Sequence, residues 1–430
     1  MKKILILLAV TIACSMNAQN NTNIGTESLN SITSGTDNSA FGYQSLKSNT
    51  TGSDNTAVGA ESLKLNTTGY WNSAFGYRSL RSNSSGRNNS AFGNLSLESN
   101  SEGDHNSAFG DLALEDNSTG NHNTAVGSGV LKNNTTGSTN TAVGTRSMET
   151  NNSSGNTAVG YQSLAGTNWG MSITNANYNT ALGYLALQKN EGTRNVGTGA
   201  HSLQLNTSGV DNTATGFYSL NSNTTASYNT AYGSQSLSIN TGAKNTAYGY
   251  RSLVNNTSGA NNTAFGYKAA ASADNATNQT VIGYEATGQA DNSVVLGNDA
   301  VTAVYMGEDS GAKVYAGEGS FTGNMTIGGD VVISSDARLK ANIMSLGSTL
   351  AKLLLIDGKT YTMKKNGKQK IGVLAQDIQK VFPELVTTDD KEMLAVNYQG
   401  LVPVLINALK EQDNKISRLE NLVEKLISDK

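Results

Sequence analysis

Cysteine is almost missing from this chain: one residue, Cys14, among 430. It lies inside the first apolar stretch, so no disulfide can staple the remainder. Proline is nearly as scarce, with only Pro383 and Pro403. Charged residues make up 15% and aromatic residues 6% of the chain, which excludes a highly charged disordered polymer and an aromatic-rich core alike. The net charge of -3 leaves no basic footprint, and no nucleic-acid partner is expected. The three histidines, His105, His122 and His201, have no ligand partners at useful spacing, so neither a metal nor a cofactor is expected. No glycine-rich loop leads into a helix, so a phosphate cradle is excluded. After the first few residues no apolar run is long enough to span a bilayer, and no membrane span is expected.

What fills the chain instead is a seventeen-residue phrase, repeated from residue 38 to about residue 283. It reads Asn-(Ser/Thr)-Ala-x-Gly-x-x-Ser-Leu-x-x-Asn-(Ser/Thr)-(Ser/Thr)-Gly-x-x. Its first glycine recurs at Gly42, Gly59, Gly76 and onward to Gly144, then at Gly160, Gly183 and Gly199 and on to Gly283. Self-similarity at such a period means stacked coils rather than a globular enzyme core. Gly, Asn, Ser and Thr are poor helix-interior residues, so a helical repeat is excluded. The spacing predicts two short strands per coil, such as Asn55 to Gly59 and Ser62 to Leu65, joined by Asn-Thr-Thr-Gly turns. That is one coil of a parallel β-solenoid. Two apolar ladders are expected to form its core. One runs Phe41, Val58, Phe75, Phe92 and on to Val159; the other runs Leu46, Leu63, Leu80, Leu97 and on to Leu164. Two such side chains per coil are few against the entropy of ordering it, which favours an oligomer over a lone rod. Tyr43, Tyr77 and Tyr161, just after the glycine, fit either a binding stripe or packing between subunits.

The phase slips between Gly160 and Gly183, with an extra loop around residues 168 to 176 that contains Trp169. The last step, from Gly283 to Gly297, is shorter. There the run Asn292, Ser293, Val294, Val295, Leu296, Gly297 resembles the repeat of trimeric autotransporter adhesin heads. The resemblance implies a β-roll wound as a homotrimer. The repeat also generates many Asn-x-Ser/Thr triplets, read as turn and ladder asparagines rather than glycan acceptors. At the N-terminus, Lys2 and Lys3, the apolar run from Ile4 to Cys14, and Ala18-Gln19 fit an export signal over residues 1–18. A lipoprotein signal at Cys14 is the alternative. Export to the bacterial surface or medium is the expectation.

A composition shift marks a boundary near residue 320, a different kind of sequence starts at Val331, and the last hundred residues hold half of the 30 Lys and Arg. Four blocks stand out in order: Ser335, Asp336, Arg338 and Lys340; Ile371 through Ile378; Phe382 through Val386; and Asn397-Tyr398. Together they resemble the intramolecular chaperone domain of phage tailspikes and tail fibres, serine peptidase family seventy-four. The resemblance implies that Ser335 is a nucleophile, that Lys340 is its base, and that the bond cut is Ser334–Ser335. Asp336 and Arg338 match the motif as supporting residues. On spacing alone, Ser335 or Asp336 could instead cap a helix beginning at Ala337, with Lys340 on its solvated face. From Leu401 onward the chain reads as a helix with heptad spacing. Val402, Leu409, Ile416 and Val423 would be a positions, and Leu405, Gln412, Leu419 and Leu426 d positions, with Glu411, Lys415, Glu420 and Lys425 flanking the seam.

The expected fold is mainly β: a parallel β-solenoid, then a small α+β chaperone domain ending in a coiled-coil helix. The segments are a signal (1–18), a lead-in (19–37), the solenoid (38–297), a connector (298–330), the chaperone domain (331–400) and the helix (401–430). The expected function is that of an exported, trimeric, adhesin-like fibre. Its C-terminal domain would assist trimerisation and cut itself once, and a host-surface glycan or protein would be its ligand. The alternatives are a glycan-degrading tailspike-like enzyme and a phage-derived fibre with a non-cleaving chaperone domain.

Overall fold

The computed structural model describes residues 20–166, 173–305, 314, 325, 335–364, 367–389 and 392–429. The signal reading over residues 1–18, Trp169 and Ser334 therefore lie outside the described residues. The chain divides into two units, Met1–Lys313 and Val314–Lys430.

The first unit is a parallel β-solenoid, in which 17 three-residue strands pair in chain order. The first is Thr22–Ile24 and the last Val294–Leu296. A strand spacing of 4.7–4.9 Å makes this stack about 77 Å long. The register is residue on residue: Thr56 pairs with Ser73, Ala57 with Ala74 and Val58 with Phe75. It survives the long coil too, where Thr157 pairs with Thr180. The stack starts one coil earlier than the sequence phrase indicates, since Thr22 already pairs with Ser39.

Each coil has one strand, not two. After the strand Thr56–Val58, Glu61 and Leu63 sit in the left-handed region at φ 57° and 49°. Ser62 and Leu63 are both fully buried, whereas neighbours in a strand must face opposite ways. The Ser62 hydroxyl donates to the Gly59 carbonyl at 3.0 Å and closes a tight turn where a second strand was expected. Backbone bonds to the next coil hold this turn, such as Leu63 N–H to the Ser79 carbonyl at 3.0 Å.

The core also differs from expectation. The Leu ladder is buried, but its partner inside the coil is the central alanine of each strand, as at Ala40, Ala57 and Ala74. The Phe/Val ladder faces outward: Phe41, Phe92 and Phe109 are 36–41% exposed. A three-residue strand whose middle residue points in must point its third residue out. The outer rings stack from coil to coil, with Phe75 and Phe92 centroids 4.7 Å apart and nearly parallel.

Amides complete the interior. The Asn55 amide nitrogen donates to the Asn38 side-chain oxygen at 3.1 Å and to the Gly69 carbonyl at 2.8 Å. A second ladder joins Asn66 to Asn49 at 2.7 Å. These asparagines are fully buried, and Asn49 and Asn66, which open Asn-x-Thr triplets, are ladder residues closed to glycan attachment.

On the outer face, charges pair within and between coils. Glu61 meets Lys64, Arg78 and Arg81, each at 3.0 Å. Lys64, helped by Arg81 and Arg78, holds the Glu61 carboxyl down to about 2. A depressed carboxylate stabilises the fold above its unfolded pKa and loses that contribution as pH falls toward its folded value. Glu61→Gln is therefore expected to cost about 1–2 kcal/mol at neutral pH, after solvent screening, with the difference from wild type closing between about pH 4.5 and 2. Urea denaturation across that range measures it. A gap that is constant with pH would assign the loss to packing instead.

The second unit is small. A hairpin pairs Lys359–Thr362 with Gln369–Gly372, a helix spans Ala375–Val381, and Val386–Thr388 pairs with Leu394–Val396. Ile378, Phe382 and Val404 are its buried apolar core. The long helix Leu401–Ser428 turns Val404 and Ala408 inward. Its a and d residues, Val402, Leu405, Leu409, Ile416, Leu419, Val423 and Leu426, are all exposed within the chain. Glu411, read from the sequence as a seam residue, serves otherwise. Its carboxylate accepts from the Thr349 backbone N–H, from the Ser348 hydroxyl at 2.8 Å and from the Leu350 N–H at 3.3 Å. Those donors, the Thr349 N–H foremost, hold its pKa below the usual glutamate range.

Candidate functional site

The site candidates from the sequence gather on one turn. Asp336 precedes a single turn of 3-10 helix, Ala337–Leu339, and accepts from the Arg338 backbone N–H at 2.8 Å. The Arg338 guanidinium returns to the same carboxylate, with Nη2 to Oδ2 at 2.6 Å. Arg338 holds the Asp336 carboxyl below its ordinary range, and Asp336 raises Arg338 in turn. The capping alternative is thus realised in part: Asp336 caps a short turn at Ala337. Lys340, however, does not simply lie on a solvated face. It ends the turn and points its ammonium back, with Nζ donating to the Ser335 Oγ at 2.7 Å.

Sequence spacing of five leaves many geometries open, and the turn selects the one that closes the Ser335–Lys340 pair. The Asp336–Arg338 pair braces that turn. All four side chains are exposed in the single chain. Nothing within the described residues walls the pair off from water.

The remaining blocks of the C-terminal segment build the frame. Ile378 and Phe382 are core, and the Tyr398 hydroxyl accepts from the Val373 N–H at 3.2 Å. Asn397 caps the turn before the long helix by accepting from Gly400 N–H at 3.1 Å. Sequence reasoning missed the role of Glu411. Its signal was an acidic residue in a helix facing the polar run Ser348-Thr349, which only the tertiary fold brings together.

Residues 335–387 match the family described as chaperone of endosialidase, Peptidase_S74. The resemblance drawn from the four sequence blocks is to that family. Among curated proteins, the chain is similar to long tail fiber protein Gp37 of Escherichia phage AR1, 34% identical over 92 residues, or 19% of this chain and 8% of the relative. It is also similar to Gp37 of Enterobacteria phage M1, 32% identical over 101 residues, covering 21% of this chain and 40% of the relative. Gp37 of Salmonella phage S16 is 28% identical over 108 residues, 23% of this chain and 14% of the relative. The matched stretch thus spans well under half the length of these relatives.

These findings correct one expectation. Export to a bacterial surface was read from residues 1–18, but the relatives are long tail fibre proteins of phages, components of a virion rather than secreted or surface proteins. Among the described residues no helix is long and apolar enough to cross a membrane.

Proposed function

We propose that this chain is a tail-fibre-type structural protein that assembles as a homotrimer, its C-terminal unit acting as an intramolecular chaperone that cuts itself once. The observation that carries the reading is the 2.7 Å contact between Lys340 Nζ and Ser335 Oγ, inside a segment matched to the endosialidase chaperone family. Two apolar surfaces support assembly. One is the outer Phe/Val stripe of the solenoid; the other is the a and d face of the long helix, which buries nothing within its own chain. Heptad faces of this kind are covered by like helices.

The chemistry follows from the pair. Lys340 takes the Ser335 hydroxyl proton as Oγ bonds to the Ser334 carbonyl carbon. The Ser334–Ser335 carbon–nitrogen bond then breaks, and the released amine recovers the proton from Lys340. Water hydrolyses the resulting ester, leaving a Ser334 carboxylate and restoring the Ser335 hydroxyl. A lysine serves as base only when burial or neighbouring charge favours its neutral form. Both side chains are exposed in one chain. Neighbouring copies supply the wall, and cleavage then reports assembly.

Expression of the full chain tests this on a denaturing gel. Wild type is expected to yield fragments ending at residue 334 and beginning at residue 335, and Ser335→Ala a single full-length band. An intact wild-type band would remove the dyad role. It would leave the second reading, a chaperone that does not cut, which the exposure of the pair favours. Light scattering of the uncut variant is expected to give three times the 44.9 kDa chain mass. A monomer mass would remove the trimer.

A further inference from the structure

We propose that the open cleft beside Tyr218 on the solenoid binds an acidic saccharide. The proposal deepens the fibre reading, since it assigns the ligand class of the shaft. The cleft holds about 400 Å³ and is lined by Tyr218, Asn221, Gln235, Ser238, Ile239 and Arg251 among others, a volume in the range of small-ligand sites.

Beyond Asn221, whose amide also donates to the His201 carbonyl at 2.9 Å, the polar groups there are unspent. Upstream on the same face the amides satisfy one another: Gln188 donates to Gln162 at 3.2 Å, Gln204 to Gln188 at 2.9 Å and Asn221 to Gln204 at 3.3 Å. That chain stops at Asn221. Among the described residues the side chains of Gln235 and Ser238 make no hydrogen bond, and the Arg251 Nε is buried without a partner. Arg251 also has no carboxylate, although cations elsewhere in its column do. Arg78 pairs with Glu61 at 3.0 Å and Lys268 with Glu285 at 3.2 Å. A buried donor without a partner is costly, and a ligand that meets it recovers that cost.

The chemistry selects the ligand. Tyr218 is one ring of an aromatic cluster, stacked on His201 at 4.6 Å and edge-on to Phe217 at 4.4 Å. Such a platform suits the C–H face of a pyranose ring. The free amide and hydroxyl suit its hydroxyl groups, and Ile239, 44% exposed, gives an apolar floor. The lone guanidinium suits one carboxylate or phosphate substituent. A polyanion would need more than one cation here.

The assembled full chain is tested first on an array of neutral, carboxylated and phosphorylated oligosaccharides, then by calorimetry with a galacto-oligosaccharide carrying a single galacturonate and its reduced, neutral counterpart. We expect the acidic form to bind about tenfold more tightly than the neutral one. Arg251→Gln should abolish that difference, and Gln235→Ala should weaken both. Neither residue has an internal partner, so both variants should fold as wild type does. Arg78→Gln, in the same column but outside the cleft, should bind normally. A response to phosphorylated sugars alone keeps the site and assigns phosphate as the anion. Absence of saccharide binding, or binding indifferent to Arg251→Gln and Gln235→Ala, or loss in Arg78→Gln, overturns the proposal. Scattering mass on the same sample separates this failure from failure of the fibre reading, because a trimer that binds no sugar sinks only the site.

Discussion

Gly76→Ala should melt the centre of the solenoid. Gly76 has φ +139°, a conformation that L side chains rarely adopt, and a methyl group there would lie 2.2 Å from the Gly93 carbonyl oxygen of the next coil. The obstacle is backbone, not the end of a flexible side chain, so relief requires the coils to separate. Separation breaks the bonds that cross the gap, among them Gly93 N–H to the Phe75 carbonyl at 2.8 Å and Leu95 N–H to the Tyr77 carbonyl at 2.9 Å. Backbone strain of this kind, with lost hydrogen bonds added, costs about 3–5 kcal/mol. In a stack where each coil is held by its neighbours, the loss is not shared out evenly. Hydrogen exchange should accelerate first in the coils on either side of Gly76. Circular dichroism should show an earlier melting phase ahead of the remainder. An alanine variant that melts with wild type would mean that the coils are not in the close register described.

The same thin cross-section explains which parts of the fold were readable beforehand. The period was plain because each coil meets near-identical surroundings, so the chain repeats near-identical residues. The direction of side chains was not, because hydrophobicity alone made Phe and Val look internal. The telling signal lay in variance. The strand's central position is almost always alanine, as at Ala74, Ala91 and Ala108, because the interior admits one small size. The third position changes freely among Phe75, Val126, Tyr232 and Ile282, as an outward site allows. The first coil was missed because Asn23 stands where most other coils have alanine, though it stacks in full register.

The C-terminal unit was legible for a different reason. Its core has few residues, and Ile378 and Phe382 sit in the blocks that carry the family resemblance. The Ser335–Lys340 contact itself was not readable from spacing, since five residues can be extended or helical. It needed the turn that Asp336 caps and Arg338 clamps. Glu411 shows the converse. Its heptad position said seam, but an unsatisfied run of backbone N–H groups at the start of the short helix Leu350–Leu353 claimed it.

Asn89→Ala is expected to be as damaging as the glycine change, by another route. The Asn89 amide nitrogen donates to the Asn72 side-chain oxygen at 3.2 Å and to the Gly103 carbonyl at 2.8 Å. Its oxygen accepts from the Asn106 backbone N–H at 2.9 Å and from the Asn106 amide at 3.2 Å. Alanine removes all four bonds and leaves the Asn106 N–H buried without its partner, while the Gly103 carbonyl keeps only the Asn100 amide at 3.0 Å. The stranded N–H costs about 1–3 kcal/mol and each of the other three lost bonds about 0.5–1.5 kcal/mol, so a loss of about 3–5 kcal/mol is expected. Asn89→Asp separates hydrogen bonding from volume. The shape is nearly kept, but a carboxylate can accept and not donate, so the Gly103 carbonyl now faces an anion in a buried site. Below the carboxylate range the protonated acid can donate again, so Asn89→Asp should recover part of its lost stability as pH falls. Asn89→Ala should not. Parallel pH profiles for the two variants would mean that the amide ladder fills space without holding the coils together.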